Sequence, residues 1–286
     1  MPFRNQGKNI RMTVNHLTVS YIDEGPTDAP VIIFIHGFPF NKSMWDTQVD
    51  ALKSTYRVIA YDVRGHGDSE AGEEEFTIEL FASDLVSLMN LLKIERAVLC
   101  GLSMGGYIAL NAAVNFPDHF AALVLSDTQC AADTPEGREK RMKTIQSIKD
   151  NGLEQYADES VKKMFAPDAF ATRTAEIKAV RQMILRTSAQ TLYNTLVALS
   201  IRKETCSRLA RIKIPVLIMA GKEDQITPPA LAQVMHEKIP HSSLAIIEHA
   251  GHIANMENPM DFNQQLTTFL TGLAEKPHRP PASVDN

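Results

Sequence analysis

Gly101-Leu102-Ser103-Met104-Gly105-Gly106 sets a serine among glycines at the centre of the chain's most telling pattern. The apolar run 97–100 precedes it and the small-residue segment 107–114 follows, which is the pattern of a buried strand turning sharply into a helix. Ser103 falls on that turn. A serine held there has its hydroxyl pushed outward, and the glycines two before and two after let strand and helix approach without a Cβ clash. The helix that begins at Met104 aims free backbone N–H groups at the same point, which favours a developing negative charge. A glycine-rich turn carrying an incidental serine has the same letters, so the rest of the chain has to decide between a nucleophile and a bystander.

Residues 11–14 and 17–23 alternate apolar and polar positions around Asn15-His16, as in an antiparallel hairpin at a sheet edge. Segments 31–35, 97–100 and 121–125 are continuous apolar runs and 57–61 is one after its leading Arg57, as expected of strands buried on both faces of a parallel sheet. Helical spacing separates them at 43–52, 77–92 and 104–115. The alternation predicts a parallel sheet wrapped by helices on both faces. It breaks after Ser126, where 128–209 has helical stretches and no strand-like run, and it resumes at 214–220. A helical insertion on the carboxyl side of such a sheet is expected to become a lid. The division is therefore a core of 1–127 and 210–274, a helical lid of 128–209, and a loosely ordered tail of 275–286.

Composition narrows the function classes. The chain has 29 basic and 34 acidic side chains and a net charge of −5, which gives no basic footprint for nucleic acid and no polybasic patch for a membrane surface. No run approaches the roughly 20 apolar residues of a membrane span. Cys100, Cys130 and Cys206 are too few and too scattered for a disulfide framework or a zinc site, so a reducing, cytoplasmic setting is expected. Monomer and homodimer are both open.

A serine hydroxyl needs a base within hydrogen-bond reach, itself oriented by an acid. The strand 214–220 runs into Gly221-Lys222-Glu223-Asp224-Gln225-Ile226-Thr227-Pro228, and the strand 244–247 runs into Glu248-His249-Ala250-Gly251-His252. The order Ser, Asp, His follows. Asp127, after the strand 121–125, is a rival acid, and Glu223 adjoins Asp224. His249 and Glu248 lack a third ligand and are read as structural. His36, Asp62, Arg64 and His66 are read as loop-shaping residues.

His36-Gly37-Phe38-Pro39, Asp62 to Ser69, the Ser103 stretch, Gly221 to Pro228 and Gly251-His252 together resemble the α/β-hydrolase fold superfamily. Within it, the chain is similar to cofactor-free esterases and lactonases, including 3-oxoadipate enol-lactonases. The resemblance implies a mostly parallel, doubly wound α/β sheet of about eight strands with the lid inserted after the sixth. It also implies Ser103 as nucleophile, His252 as general base and Asp224 as the acid orienting it. The backbone N–H groups of Phe38 and Met104 are expected to form the oxyanion hole. No metal or organic cofactor is implied, and the expected partner is a small ester or lactone. The same residues in related proteins serve carbon–carbon bond hydrolysis, thioester hydrolysis, perhydrolysis or small-molecule reception. Trp45, Met164, Phe165, Met183 and Ile184 are candidate substrate-binding residues, with core packing as their competing role. Arg181 and Arg186 are placed to meet a substrate carboxylate or to sit solvated on the surface.

Overall fold

The structure is a computed structural model and describes residues 7–274, so the tail 275–286 lies outside the described residues. β1 (Gly7–Val14) and β2 (Leu17–Glu24) form the edge hairpin, turning through Asn15 and His16 at φ of 48° and 66°. They are followed by β3 (Val31–Ile35), β4 (Arg57–Tyr61), β5 (Ala97–Leu102), β6 (Phe120–Ser126), β7 (Val216–Gly221) and β8 (Ser242–Ile247). The eight strands make one sheet in the order β1-β2-β4-β3-β5-β6-β7-β8, antiparallel at β1-β2-β4 and parallel from β4 to β8.

The parallel strands are buried on both faces because helices cover both. Ile33 and Ile35 point into one apolar layer with Leu85 of α2 (Ile78–Leu91), Ile108 of α3 (Met104–Asn115) and Met235 of α8 (Pro229–Lys238). Ile32 and Phe34, the alternate residues, point into the other with Val49 of α1 (Asp46–Leu52) and Phe262 of α10 (Pro259–Ala274). That period-two split is what a two-sided strand requires. α2 starts where the Thr77 hydroxyl accepts the N–H of Leu80 and buries the stripe Ile78, Phe81, Leu85 and Leu88.

Between β6 and β7 lie α4 (Pro135–Met164), α5 (Ala169–Thr172), α6 (Thr174–Arg186) and α7 (Ala189–Ile201). α4 is broken at Gly152, whose φ of 83° is non-helical. No helix among the described residues is long and apolar enough to cross a membrane.

The expectation that the cysteines stay unpaired is corrected. Cys130 and Cys206 form a disulfide across 76 positions, with Cα atoms 4.8 Å apart. The insertion leaves the sheet at β6 and re-enters at its neighbour β7, so its two ends meet and distance along the chain is a poor guide to distance in space. The Thr205 N–H donates to the Cys130 carbonyl at 2.8 Å in the same place. The free thiol, Cys100, is buried within β5.

Candidate active site

The turn between β5 and α3 holds Ser103 at φ 54°, ψ −113°, in the left-handed half of backbone space that a residue with a Cβ seldom adopts. What over-determines it is close packing of main chain on main chain. A Cβ on Gly105 would lie 2.1 Å from the Ile35 carbonyl oxygen, and one on Gly101 would lie 2.2 Å from that of Gly105. The Ser103 N–H donates to the Ser126 carbonyl at 2.9 Å, and the Thr128 hydroxyl donates to the Ser103 carbonyl at 2.8 Å. The serine therefore protrudes from the carboxyl end of the sheet on a backbone pinned from three sides.

The loops after β7 and β8 bring two further side chains to it. His252 Nε2 lies 2.9 Å from Ser103 Oγ, and His252 Nδ1 lies 2.8 Å from Asp224 Oδ2. The loops are in backbone contact, since a Cβ on Gly221 would fall 1.9 Å from the Gly251 carbonyl oxygen. Asp224 Oδ1 accepts the N–H groups of Ile226 and Thr227, and Oδ2 also accepts the Thr227 hydroxyl. Burial alone would raise the Asp224 carboxyl, but the His252 charge and these donors hold it below the usual carboxylate value. Burial alone would lower His252, and the charge and hydrogen bond of Asp224 outweigh it and raise the imidazole. A carboxylate, an imidazole and a hydroxyl in line can draw a proton off the hydroxyl as it attacks an electrophile.

Among the described residues, the backbone N–H groups of Phe38 and Met104 donate to no protein acceptor. Met104 is the first residue of α3, so its N–H is one of the helix's unpaired donors.

The other candidates have different places. Asp127 is fully buried, with Oδ1 accepting the Gly221 N–H at 2.7 Å and Oδ2 the Ser126 hydroxyl at 2.6 Å, so its bonds go to strand ends and not to His252. Burial and the neighbouring Asp224 charge push it up to about 7. Glu223 Oε2 accepts the Ala250 N–H at 2.9 Å. His249 is exposed and joins no grouping of three metal-binding side chains among the described residues. His36 has both ring nitrogens engaged, Nδ1 with the Gly37 carbonyl and Nε2 with the Val63 N–H, and burial lowers it to about 4. Asp62 accepts from the backbone N–H and the Nζ of Lys42, while Arg64 is clamped by Asp84 and Glu74. His66 is buried with Nδ1 on the Arg64 carbonyl.

Of the two roles expected for Trp45, its position is that of core packing. Its ring is wholly buried, 4.8 Å from Phe34 and 6.1 Å from Phe262, so the indole fills the layer between sheet and α10. Met164, Phe165, Met183 and Ile184 share that apolar layer, and Met164 also reaches the site through its carbonyl, which accepts the His252 N–H at 2.7 Å. Arg181 pairs with Glu154 and Asp158 on the outside of the insertion, and Arg186 is exposed. Sequence reading missed Thr227 and Glu257. The first had a signal, a hydroxyl three residues after Asp224 and just ahead of Pro228-Pro229, and the second had none beyond being an acid next to Asn258-Pro259.

The family model for the alpha/beta hydrolase fold matches residues 30–259. The chain belongs to this family. Among its relatives, a 3-oxoadipate enol-lactonase of Acinetobacter baylyi is 31% identical over 91% of this α/β hydrolase and 95% of its own length. A second enol-lactonase of that organism is 30% identical over 94% and 95%. A thermophilic esterase from Thermogutta terrifontis superposes on this α/β hydrolase with a TM-score of 0.88 at 30% identity, covering 93% of this chain and 99% of that one. The enol-lactonase of Burkholderia xenovorans gives 0.86 at 29%, covering 92% and 100%.

Proposed function

We propose that the protein is a serine hydrolase that cleaves carboxylic esters or lactones through an acyl-enzyme on Ser103. The observation that carries this reading is the hydrogen-bonded line Asp224–His252–Ser103 at a strained strand-to-helix turn. The esterase and enol-lactonase relatives support the bond type.

In this mechanism Ser103 Oγ attacks the substrate carbonyl carbon while His252 Nε2 takes its proton. Asp224 holds the Nδ1–H tautomer and stabilises the imidazolium. The carbonyl oxygen becomes an oxyanion held by the Phe38 and Met104 N–H groups, each worth about 3 kcal/mol at such a site. The carbon–oxygen bond to the leaving alkoxide breaks, and His252 returns the proton to it. Water, deprotonated in turn by His252, attacks the acyl-enzyme, and its breakdown releases the acid and restores Ser103. The helices of 128–209 act as a lid over this site.

The buried cations favour a substrate with no free carboxylate. Lys42, Arg57, Arg64 and Arg202, the buried cations among the described residues, are each paired with a carboxylate, and Arg181 faces away on the insertion surface. A neutral ester or lactone with an apolar acyl part suits that setting better than an enol-lactone acid. The Cys130–Cys206 bond is at odds with the reducing setting expected from the number and spacing of the cysteines.

The test is release of p-nitrophenol from acetate, butyrate and octanoate esters by wild type and by Ser103→Ala, without added metal. Turnover by the wild type that falls to background in the variant is the expected result. Equal turnover by both would sink the acyl-enzyme, and binding without turnover would favour a receptor.

A further inference from the structure

Three carboxylates hold three successive residues of the loop after β8. Glu223 takes the Ala250 N–H, Glu257 takes the Gly251 N–H at 2.7 Å through Oε2, and Asp224 takes the His252 ring. Glu257 differs from the other two in its second bond. Its Oε1 accepts the Ala166 N–H at 2.8 Å, and Ala166 belongs to the strap that leaves α4 and leads into α5. The same strap accepts the His252 N–H at the Met164 carbonyl. It runs so close to the loop that a Cβ on Gly251 would lie 2.6 Å from the Met164 oxygen and 2.8 Å from the Ala166 nitrogen. Glu257 ends α9 (Ala254–Glu257), which begins two residues after His252, and it is 1% exposed.

We propose that Glu257 is a positioning residue whose carboxylate ties the inserted helical segment at Ala166 to the histidine loop at Gly251, fixing His252 over Ser103. This rests on the reading of His252 as the general base. Two N–H donors converge on one side chain, one at each oxygen, and a carboxylate offers two strong acceptor oxygens where a carboxylic acid has one strong and one weak and a carboxamide has one. Isolated buried carboxylates are costly, and here the charge is spent on backbone donors that belong to two different parts of the fold.

The tie is open to protons. A cavity of about 360 Å³ lies against Glu257, lined also by Asp168 and Arg173 of the insertion, Glu223 of the β7 loop and His249 of the β8 loop. Burial first, and the Glu223 charge after it, push the Glu257 carboxyl up to about 7, while the Ala166 and Gly251 bonds and Arg173 oppose the rise. Protonation removes one strong acceptor, so the tie loosens as pH falls through that value. His252 gains its own proton on the acid side as well, and the two events should add in the pH profile.

The experiment compares wild type with Glu257→Gln on p-nitrophenyl butyrate from about pH 5 to about pH 9. The variant is expected to lose about tenfold in kcat with little change in KM, the effect of one charge-assisted hydrogen bond acting on the geometry of the base. Its acid limb of log kcat/KM should fall with a slope of one, where the wild type is steeper. A variant with wild-type kcat and slope but lower thermal stability would overturn the proposal in favour of a merely structural role. Amide exchange of the wild type gives a readout that needs neither turnover nor a folded variant. Protection at Ala166 or Gly251 should drop relative to His252, whose acceptor does not titrate, between about pH 8 and about pH 6. Constant relative protection would also overturn it. Loss of Ser103-dependent turnover in the wild type would instead overturn the acyl-enzyme reading and leave the exchange result to decide on the tie.

Discussion

Thr227 donates its hydroxyl at 2.7 Å to Asp224 Oδ2, the same oxygen that lies 2.8 Å from His252 Nδ1. The threonine and the imidazole therefore share one oxygen of one carboxylate. A donor there lowers the basicity of the carboxylate and so weakens its pull on the imidazolium.

Replacing Thr227 with Val keeps the shape and removes that donor. Asp224 then raises His252 further, and because the base must be neutral to act, the acid limb of kcat/KM moves to higher pH. The lost bond should also lower kcat/KM at its plateau by about fivefold, matching about 1 kcal/mol. A pH–rate profile checks both effects, and an unmoved acid limb would show that Thr227 only braces the Asp224 turn.

The Cys130–Cys206 bond closes the base of the insertion. Chain entropy for a loop of 76 residues amounts to about 4 to 5 kcal/mol in the ideal case. The Thr205 N–H on the Cys130 carbonyl and Arg202 on Asp133 and the Ala131 carbonyl hold the same junction only in the folded state, whereas the disulfide also constrains the unfolded chain. Cys206→Ser should lose about 2 to 4 kcal/mol in denaturant unfolding. Reductant should destabilise the wild type and leave the variant unchanged, and a wild type indifferent to reductant would contradict the expectation.

Local chemistry in the sequence was enough for the sheet, the turn at Ser103 and the order of Asp224 and His252, because each follows from a strand end or a close glycine contact. The disulfide was not legible, since its formation depends on β6 and β7 being neighbours, which spacing does not report. The choice between pocket and core for Trp45 was not legible for a related reason. Its position after the Phe38 loop points toward the site, whereas the 3-10 turn Lys42–Trp45 swings the indole back onto Phe34. Glu257 was hidden because its meaning comes from Ala166, 91 residues away.

Gly105→Ala tests whether the turn tolerates any side chain. The added methyl would meet the backbone oxygens of Ile35 and His36 at 2.1 and 2.9 Å, atoms that belong to β3 and the loop after it and have nowhere to move. The expected outcome is a loss of about 2 to 4 kcal/mol in stability together with activity below about a hundredth of wild type. Thermal melting and esterase assay on the same preparation check it, and a variant with full activity would mean that the turn is looser than its contacts imply.

Asp127→Asn addresses the other buried carboxyl at this end of the sheet. Its ordinary value of 3.8 is pushed to about 7 in the folded protein, by burial first and by Asp224 second. Between those values the folded protein keeps a proton that the unfolded chain has released, so stability from this group is greatest on the acid side and falls as pH rises toward about 7. Asparagine stays neutral at every pH, still accepts the Gly221 N–H, and donates to Ser126 Oγ in place of accepting from it. The variant should therefore gain on wild type as pH rises. Urea unfolding at about pH 5 and about pH 8 measures this as a change in the stability difference between the two proteins, to which Glu257 contributes nothing because it titrates in both. An equal difference at the two pH values would mean that Asp127 is ionised throughout, with a second negative charge beside Asp224 in the resting protein.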